Sequence, residues 1–439
     1  MNIHLVSLGC ARNLVDSEVM TGKLREAGCI PVQEPEDADV IIVNTCSFIE
    51  AAANESIDTI LALAALKKTG ACSRLIVTGC LPERYREDIV SALPEVDVFL
   101  GTGAYDRIIE AVQDAPKLSA CVLPDPDSIT VENADVARDL TTGPVAYLKI
   151  AEGCSRRCSY CIIPRLRGRQ KSRSMADIVT EAERLAASGV RELTLVSQDT
   201  TAYGQDLEGP ADFSRLLERL SRIPGDTWIR FLYGHPESIT DAVIRTVADH
   251  PRICPYFDIP VQHASDSVLK RMGRHYGRKE LLRLFENIRA TVPEASLRTT
   301  VIVGFPGETD ADFDLLLSFV REIRFDHLGV FIYSDADDLP SHHLPDPVPA
   351  AVARRRHNRL MSDQKKISTE NNQRHLEKII PVLVESAPEK GVYMGRTRFQ
   401  APEVDGVTII HADQLEIGDV IRVRITDTLQ YDLIGVPHE

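Results

Sequence analysis

Short runs of valine, isoleucine and leucine recur along this chain at intervals that leave room for one helix between them. That alternation restricts the fold more than any other feature. In the first hundred residues the runs are Ile3–Leu8, Val40–Asn44, Leu75–Thr78 and Val96–Leu100. Between them, Glu18–Ala27, Ile57–Leu66 and Glu83–Leu93 carry apolar residues at roughly helical spacing. Strands buried on both faces read as continuous aliphatic runs, and parallel neighbours need a crossover helix. Residues 1–120 are therefore expected to form an open parallel sheet with flavodoxin-like layers.

From Cys121 to Thr142 the pattern decays into Pro124-Asp125-Pro126-Asp127 and scattered acids, which reads as a connective linker. A second series then fills residues 143–375. Strands are expected at Val145–Ala151, Glu192–Ser197, Trp228–Leu232, Tyr256–Pro260, Leu297–Ile302 and His327–Ile332. Helices fit at Met175–Ser188, Asp212–Arg222, Asp241–Ala248, Ser267–Arg271, Lys279–Arg289 and Thr309–Ile323. Six such units make a partial (β/α)6 barrel, with an active site at the C-terminal strand ends. After Leu344-Pro345-Asp346-Pro347-Val348-Pro349 a polar helix runs from Ala350 to Glu377, and its Arg354-Arg355-Arg356 cluster reads as a solvated face. Short strands at Ile380–Glu385, Gly406–Ile410 and Val420–Thr426 end the chain as a small β-barrel over residues 376–439.

No apolar run approaches the roughly 18–20 residues that span a bilayer, so a cytoplasmic protein without membrane contact is expected. In that reducing compartment clustered cysteines favour metal ligation or catalysis over disulfides. The chain has ten cysteines, and they fall into two groups and a background.

The first group is Gly153-Cys154-Ser155-Arg156-Arg157-Cys158-Ser159-Tyr160-Cys161, with C-x3-C-x2-C spacing directly after the first barrel strand. Iron–sulfur clusters take thiolates, usually four. Three in one loop leave an iron open, much as a catalytic zinc keeps an open position. A zinc knuckle is the competing reading, but it wants a fourth Cys or His, and residues 162–201 contain neither.

In the second group Cys10, Cys46 and Cys80 each sit just past the end of an aliphatic run, at intervals of 36 and 34 residues, about one βαβ unit. Strand ends meet at the ligand crevice of an open α/β sheet. Three thiols delivered there could hold a second cluster, or be buried cysteines that coincide by chance. Cys29, Cys72, Cys121 and Cys254 share no such position.

The C-x3-C-x-aromatic-C loop on the first strand of a partial barrel resembles the radical S-adenosylmethionine superfamily. The resemblance implies a 4Fe–4S cluster on Cys154, Cys158 and Cys161, which are then the catalytic cysteines. It also implies that the open iron binds S-adenosylmethionine, whose reductive cleavage yields a 5′-deoxyadenosyl radical. With Gly9-Cys10, Asn44-Thr45-Cys46 and Gly79-Cys80 ahead of that loop, and a small barrel behind it, nearly the whole chain is similar to the methylthiotransferase family. That likeness implies a second 4Fe–4S cluster on Cys10, Cys46 and Cys80, which supplies or relays sulfur, and a TRAM (OB-like) terminal domain. Gly168-Arg169-Gln170-Lys171-Ser172-Arg173 resembles a family segment and is expected to place cations beside a site that handles carboxylates. Gln198, in the loop after the second barrel strand, and Gly304 and Gly307, in a glycine turn, are expected cosubstrate-binding residues. Asp258-Ile259-Pro260-Val261-Gln262-His263 is similarly familial. The chain departs from the family at Tyr333–His343, where a Gly-Thr pair is missing.

Ser7-Leu8-Gly9-Cys10-Ala11-Arg12-Asn13-Leu14-Val15-Asp16-Ser17-Glu18 and Ser197–Gly204 resemble the RimO branch, which methylthiolates the β-carbon of an aspartate in small-subunit ribosomal protein twelve. A tRNA methylthiotransferase acting on a modified adenosine is the alternative. A non-catalytic iron–sulfur binding or assembly module is an alternative of another class. Charge favours the protein branch. The chain carries 50 basic and 65 acidic residues, a net −15, and Ile379–Glu439 holds ten acids against five bases. That surface suits a basic ribosomal protein better than tRNA phosphates. A reductant such as flavodoxin or ferredoxin and a sulfur donor complete the expected partners.

Overall fold

The computed structural model describes residues 1–113, 119–129, 136–209 and 211–438. Six parallel strands form the N-terminal sheet, side by side in the order Ile30–Pro31, Asn2–Ser7, Val40–Thr45, Arg74–Gly79, Val98–Leu100 and Cys121–Val122. This is the flavodoxin-like order. Its switch point lies between the strands that end before Cys10 and Cys46, where such sheets open a crevice.

Two helices depart from the expectation. One runs Ala11–Glu26, starting well before Glu18, because Asn13, Asp16, Ser17 and Glu18 are buried polar residues that break the apolar periodicity. The stretch expected as one helix over Glu83–Leu93 is two, Cys80–Tyr85 and Asp88–Ala92, parted at Arg86, whose φ is +51°. A left-handed residue cannot continue an α-helix.

The stretch read as a linker does more than connect. Cys121–Val122 completes the sheet edge, and Arg138 is buried between Glu181, at 2.8 Å, and Glu18. Residues 130–135 of it lie outside the described residues.

The central region is an open barrel of six parallel strands. Val145–Lys149, Glu192–Val196 and Trp228–Phe231 form one sheet, and Tyr256–Asp258, Ser296–Val303 and His327–Ile332 the other. The parallel bridge from Ile229 to Ile253 and the bond from Gly234 N to the Asp258 carbonyl at 2.8 Å join them. Leu148, Leu193, Leu195, Phe257 and Leu297 turn outward into the core shared with Ile178, Leu216, Ile244, Phe285 and Leu316 of the crossover helices. Each such side chain contributes about 1.5–3 kcal/mol of transfer free energy. The polar helix, Ala350–Asn372, is not simply solvated: Leu360 and Ile367 enter this core, and Arg356 is buried.

Five strands close the C-terminal barrel: Ile379–Glu389, Val392–Thr397, Thr408–His411, Val420–Thr428 and Leu433–Pro437. Their order round the barrel is first, second, third, fifth, fourth, the OB arrangement. Its 397–405 loop plugs the bottom of the open barrel. Arg230 donates to the Arg398 carbonyl at 3.0 Å, Ser296 to the Phe399 carbonyl at 3.1 Å, and Tyr256 to Asp405 at 2.6 Å. The plug leaves the C-terminal strand ends to the N-terminal domain.

Candidate functional site

The three-cysteine loop leaves the first barrel strand through Gly153. Its φ is +80°, and a Cβ there would lie 2.1 Å from the Arg169 carbonyl oxygen. The loop is then fastened along its length. Cys154 N donates to the Gly168 carbonyl at 3.0 Å and Ser159 N to the Met272 carbonyl at 3.1 Å. Arg156 reaches Asp199 at 3.0 Å and Glu237 at 2.5 Å. Burial pushes the Cys154 thiol up to about 11 and the Cys161 thiol up to about 12, and Cys154 and Cys158 add their charge to the latter. The three thiols therefore act on one another, and metal binding must displace their protons.

Cys10, Cys46 and Cys80 lie near enough to feel one another's charge. Cys80 feels the charge of both Cys46 and Cys10, and burial, the larger cause, pushes its thiol up to about 11. For Cys10 burial acts upward too, but Arg12, Arg167 and the backbone N–H groups of Asn13 and Arg12 together outweigh it and lower the thiol. Gly9, at φ +92°, makes the approach possible, since a Cβ there would sit 2.6 Å from Cys46 Cβ. Asn13 donates to the Thr45 carbonyl at 2.8 Å and the Leu8 carbonyl at 3.0 Å, tying two of the strand ends together. Thr45 Oγ1 donates to the Thr78 carbonyl at 2.6 Å, and Ser47 Oγ to the Cys80 carbonyl at 2.9 Å, which ties in the third.

A buried polar network joins the two thiol groups, and sequence reasoning did not find it. Arg167 donates at 3.0 Å to both Asp16 and Glu152, lies 3.6 Å from Cys80 Sγ, and also donates to Asn13. Lys149 donates to Glu152 at 2.9 Å and to Asp16. Glu152 directly precedes Gly153-Cys154, so the chain of contacts runs from one cysteine group to the other. The two cations hold the Glu152 carboxyl well below its usual range against burial, which acts the other way. The signal was present as charged residues inside a valine- and leucine-rich strand (Lys149) and next to a motif cysteine.

Gln198 donates to Glu152 at 2.5 Å, which places it at this network, and its Oε1 is buried without a partner. The glycine turn is held from within. Glu308 accepts from Gly304 N and, at 3.2 Å, from Phe305 N, and Gly307 N donates to the Asp346 carbonyl at 2.7 Å. All three donors are thus taken within the chain, and the space a Cβ would fill is occupied by Ala353 at Gly304 and by the Arg271 guanidinium at Gly307. Phe305 stacks edge-on with Tyr160 of the cluster loop at 6.4 Å between ring centroids, so turn and loop share one side of the barrel mouth.

The Gly168–Arg173 segment corrects an expectation. Arg173 is spent on Asp177 and Glu181, each at 2.6 Å, and Lys171 on the carbonyls of Pro126, Arg167 and Arg169. Arg173 is held by internal counter-charges, and the three donors of Lys171 are taken by backbone carbonyls. Asp258 accepts from Tyr233 N and Arg298, both at 2.8 Å, which makes it a brace inside the barrel. The divergent loop, Tyr333–His343, reaches the second thiol group. Leu339 packs with Cys80, Ile162 and Leu166, and Asp338 pairs with Arg84.

Fit to metal can be read from these donors. Two sets of three soft thiols, one at strand ends and one in the loop after the first barrel strand, each with arginines nearby, suit the corners of iron–sulfur clusters.

A partial parallel barrel bearing C-x3-C-x2-C on its first strand defines a radical-SAM enzyme. Residues 148–320 match the radical SAM superfamily, residues 2–101 the uncharacterized protein family UPF0004, and residues 378–437 the TRAM domain. The chain is 53% identical to the ribosomal protein uS12 methylthiotransferase RimO of Desulfosudis oleivorans over 437 residues, 99% of each chain. It is 47% identical to the protein of that name from Clostridioides difficile, over 99% of this chain and 98% of that one. It belongs to the RimO methylthiotransferase family, whose members use 4Fe–4S clusters and S-adenosylmethionine. Among solved structures, the radical S-adenosylmethionine methyltransferase TsrM from Kitasatospora setae superposes with a TM-score of 0.59 at 14% identity, covering 83% of this chain and 89% of that one, and shares the fold.

Proposed function

We propose that this enzyme adds a methylthio group to the β-carbon of an aspartate in ribosomal protein uS12. What supports the reading is a chain collinear with RimO proteins, in which a buried network links Cys80 through Arg167 to Glu152, beside the three-cysteine loop. In this reading Cys154, Cys158 and Cys161 hold the cluster that binds and reduces S-adenosylmethionine, while Cys10, Cys46 and Cys80 hold the second cluster. When bound, the two clusters supply the electron for S-adenosylmethionine cleavage and the docking point for sulfur.

The chain's own residues bind, orient and exclude water. The turn at Gly304 and Gly307, with Gln198, borders the cosubstrate, and Tyr160 with Phe305 forms a dry wall beside it. Overall, one β-hydrogen leaves the aspartate, and sulfur and a methyl group replace it. A second S-adenosylmethionine supplies the methyl. The reaction needs a one-electron reductant, of the flavodoxin or ferredoxin class, and a sulfur donor. No described helix is long and apolar enough to cross a membrane, which is in keeping with work in the cytoplasm on a ribosomal protein.

The test is an anaerobic reaction of reconstituted enzyme with reductant, sulfide and S-adenosylmethionine, offered uS12 and tRNA separately. Mass spectrometry should find the methylthio group on an aspartate of the protein. A gain on tRNA alone would overturn the substrate and keep the chemistry.

A further inference from the structure

Arg12 follows the second-site cysteine Cys10 by two residues, yet its side chain leaves the N-terminal domain. Its Nη1 donates to the Ser197 carbonyl at 2.8 Å, and its guanidinium lies 4.4 Å from the centroid of the Tyr233 ring. Ser197 and Tyr233 stand just beyond the C-terminal ends of the second and third barrel strands. Arg12 is thus a half-buried cation stretched between the second thiol group and the barrel mouth.

Four other cations around the mouth have carboxylate partners, while Arg274 bonds the Tyr160 hydroxyl instead. Lys149 and Arg167 share Asp16 and Glu152, Arg156 has Asp199 and Glu237, and Arg298 has Asp258. Among the described residues no carboxylate pairs with Arg12; what surrounds it is Cys10, the Tyr233 ring and the positive Arg167. A guanidinium carries five donors in a rigid fork suited to a carboxylate. Stacking on Tyr233 and the bond to Ser197 fix its plane and leave the fork with donors to spare. Apart from the Cys10 thiol it meets no anion among the described residues, so a carboxylate ligand at the barrel mouth would find the fork's remaining donors.

The proposed reaction supplies one, and the following inference rests on that reading. Hydrogen leaves the aspartate β-carbon toward the barrel site, and sulfur arrives from the second thiol site. The β-carbon must therefore lie between them, and its carboxylate is one bond away. We infer that Arg12 binds the carboxylate of the target aspartate and so selects an acidic side chain at the reacting position. Asparagine, equal in shape, would lose the charge-assisted pair.

The test is a binding cycle on the cluster-loaded enzyme under anaerobic conditions with S-adenosylmethionine. Kd is measured for recombinant uS12 and for uS12 with asparagine at the target position, against wild type, Arg12→Met and Arg12→Lys. Wild type should bind the asparagine form about 10- to 100-fold more weakly. Arg12→Met should bind both forms alike, and Arg12→Lys should keep part of the discrimination. If Arg12→Met weakens both substrates by one common factor, Arg12 serves only the neighbouring thiols and the inference is overturned. Should the methionine variant load less iron, the lysine variant, which keeps the charge, decides by the same ratio. The functional reading fails separately, by wild type transferring no methylthio group to the aspartate form.

Discussion

Arg84 and Asp338, 254 residues apart in sequence, meet through two parallel hydrogen bonds, Nη2 to Oδ1 at 2.7 Å and Nε to Oδ2 at 3.0 Å. Arg84 belongs to the short helix that opens with Cys80, and its Nη1 also donates to the Ser47 carbonyl at 2.5 Å, beside Cys46. Asp338 lies in the loop where the family's Gly-Thr pair is missing. This loop of the barrel domain therefore clasps the Cys46 and Cys80 segments to the barrel.

Both partners are largely buried, with side-chain exposures of 8% and 17%. Removing one charge from such a pair leaves the other desolvated. Asp338→Asn should lower unfolding stability by about 2–4 kcal/mol, measured by urea denaturation. A double-mutant cycle with Arg84→Met should show a coupling of about 1–3 kcal/mol, and strict additivity would remove the clasp from the account.

The two thiol groups should fail in different ways. Cys158→Ala should produce no 5′-deoxyadenosine when supplied with reductant and S-adenosylmethionine, as read by chromatography. Cys46→Ala should yield no methylthio product. Each variant should bind roughly half the iron of the wild type, since each site holds one 4Fe–4S unit. Full iron content in Cys46→Ala would show that the second site lies elsewhere.

Glu192 gives a dependence on acid. It is buried, which acts to raise its pKa, but Arg230 at 2.7 Å and Arg396 at 3.1 Å bring it down to about 2. Its folded value is depressed, so the stabilisation is present above the ordinary carboxyl range. It is lost as pH falls from about 4.5 toward 2. The contribution is on the order of 3 kcal/mol. Urea midpoints measured from pH 6 down to pH 3 should fall more steeply for wild type than for Glu192→Gln, and parallel curves would contradict this.

Arg356 lies in the helix read from sequence as solvated, yet it donates to the Glu308 carbonyl at 3.1 Å and its Nη1 is 3.3 Å from the Glu308 carboxylate that holds Gly304. As a positioning residue for the glycine turn, its loss should act on cosubstrate binding before chemistry. Arg356→Gln should raise KM for S-adenosylmethionine about tenfold with a smaller change in kcat, and Arg356→Lys should restore part of it. An unchanged KM would separate the helix from the cosubstrate.

The chain announced its architecture and its thiols. Aliphatic runs and intervening helical patterns placed all six barrel strands, because burial on both faces leaves a local mark on composition. Cys10, Cys46 and Cys80 were legible through strand-end placement, since equal positions in successive βαβ units lead to one rim. The start of the helix Ala11–Glu26 was missed, because its first turns bury Asn13, Asp16 and Glu18 against residues from other parts of the chain. Two barrel strands near the C-terminus, Val392–Thr397 and Leu433–Pro437, also escaped, since Gly395, Arg396 and Gly435 interrupt their alternation.

By itself, then, the sequence determined which elements form and which cysteines could carry clusters, for these depend on periodicity and spacing along the chain. Only the tertiary structure decided which charges face one another. The pairing of Arg167 with Asp16, the clasp of Arg84 on Asp338 and the reach of Arg12 to the Ser197 carbonyl each join segments far apart in sequence. A buried charge chooses its partner by proximity in a medium that screens poorly, and that proximity exists only once the domains have packed.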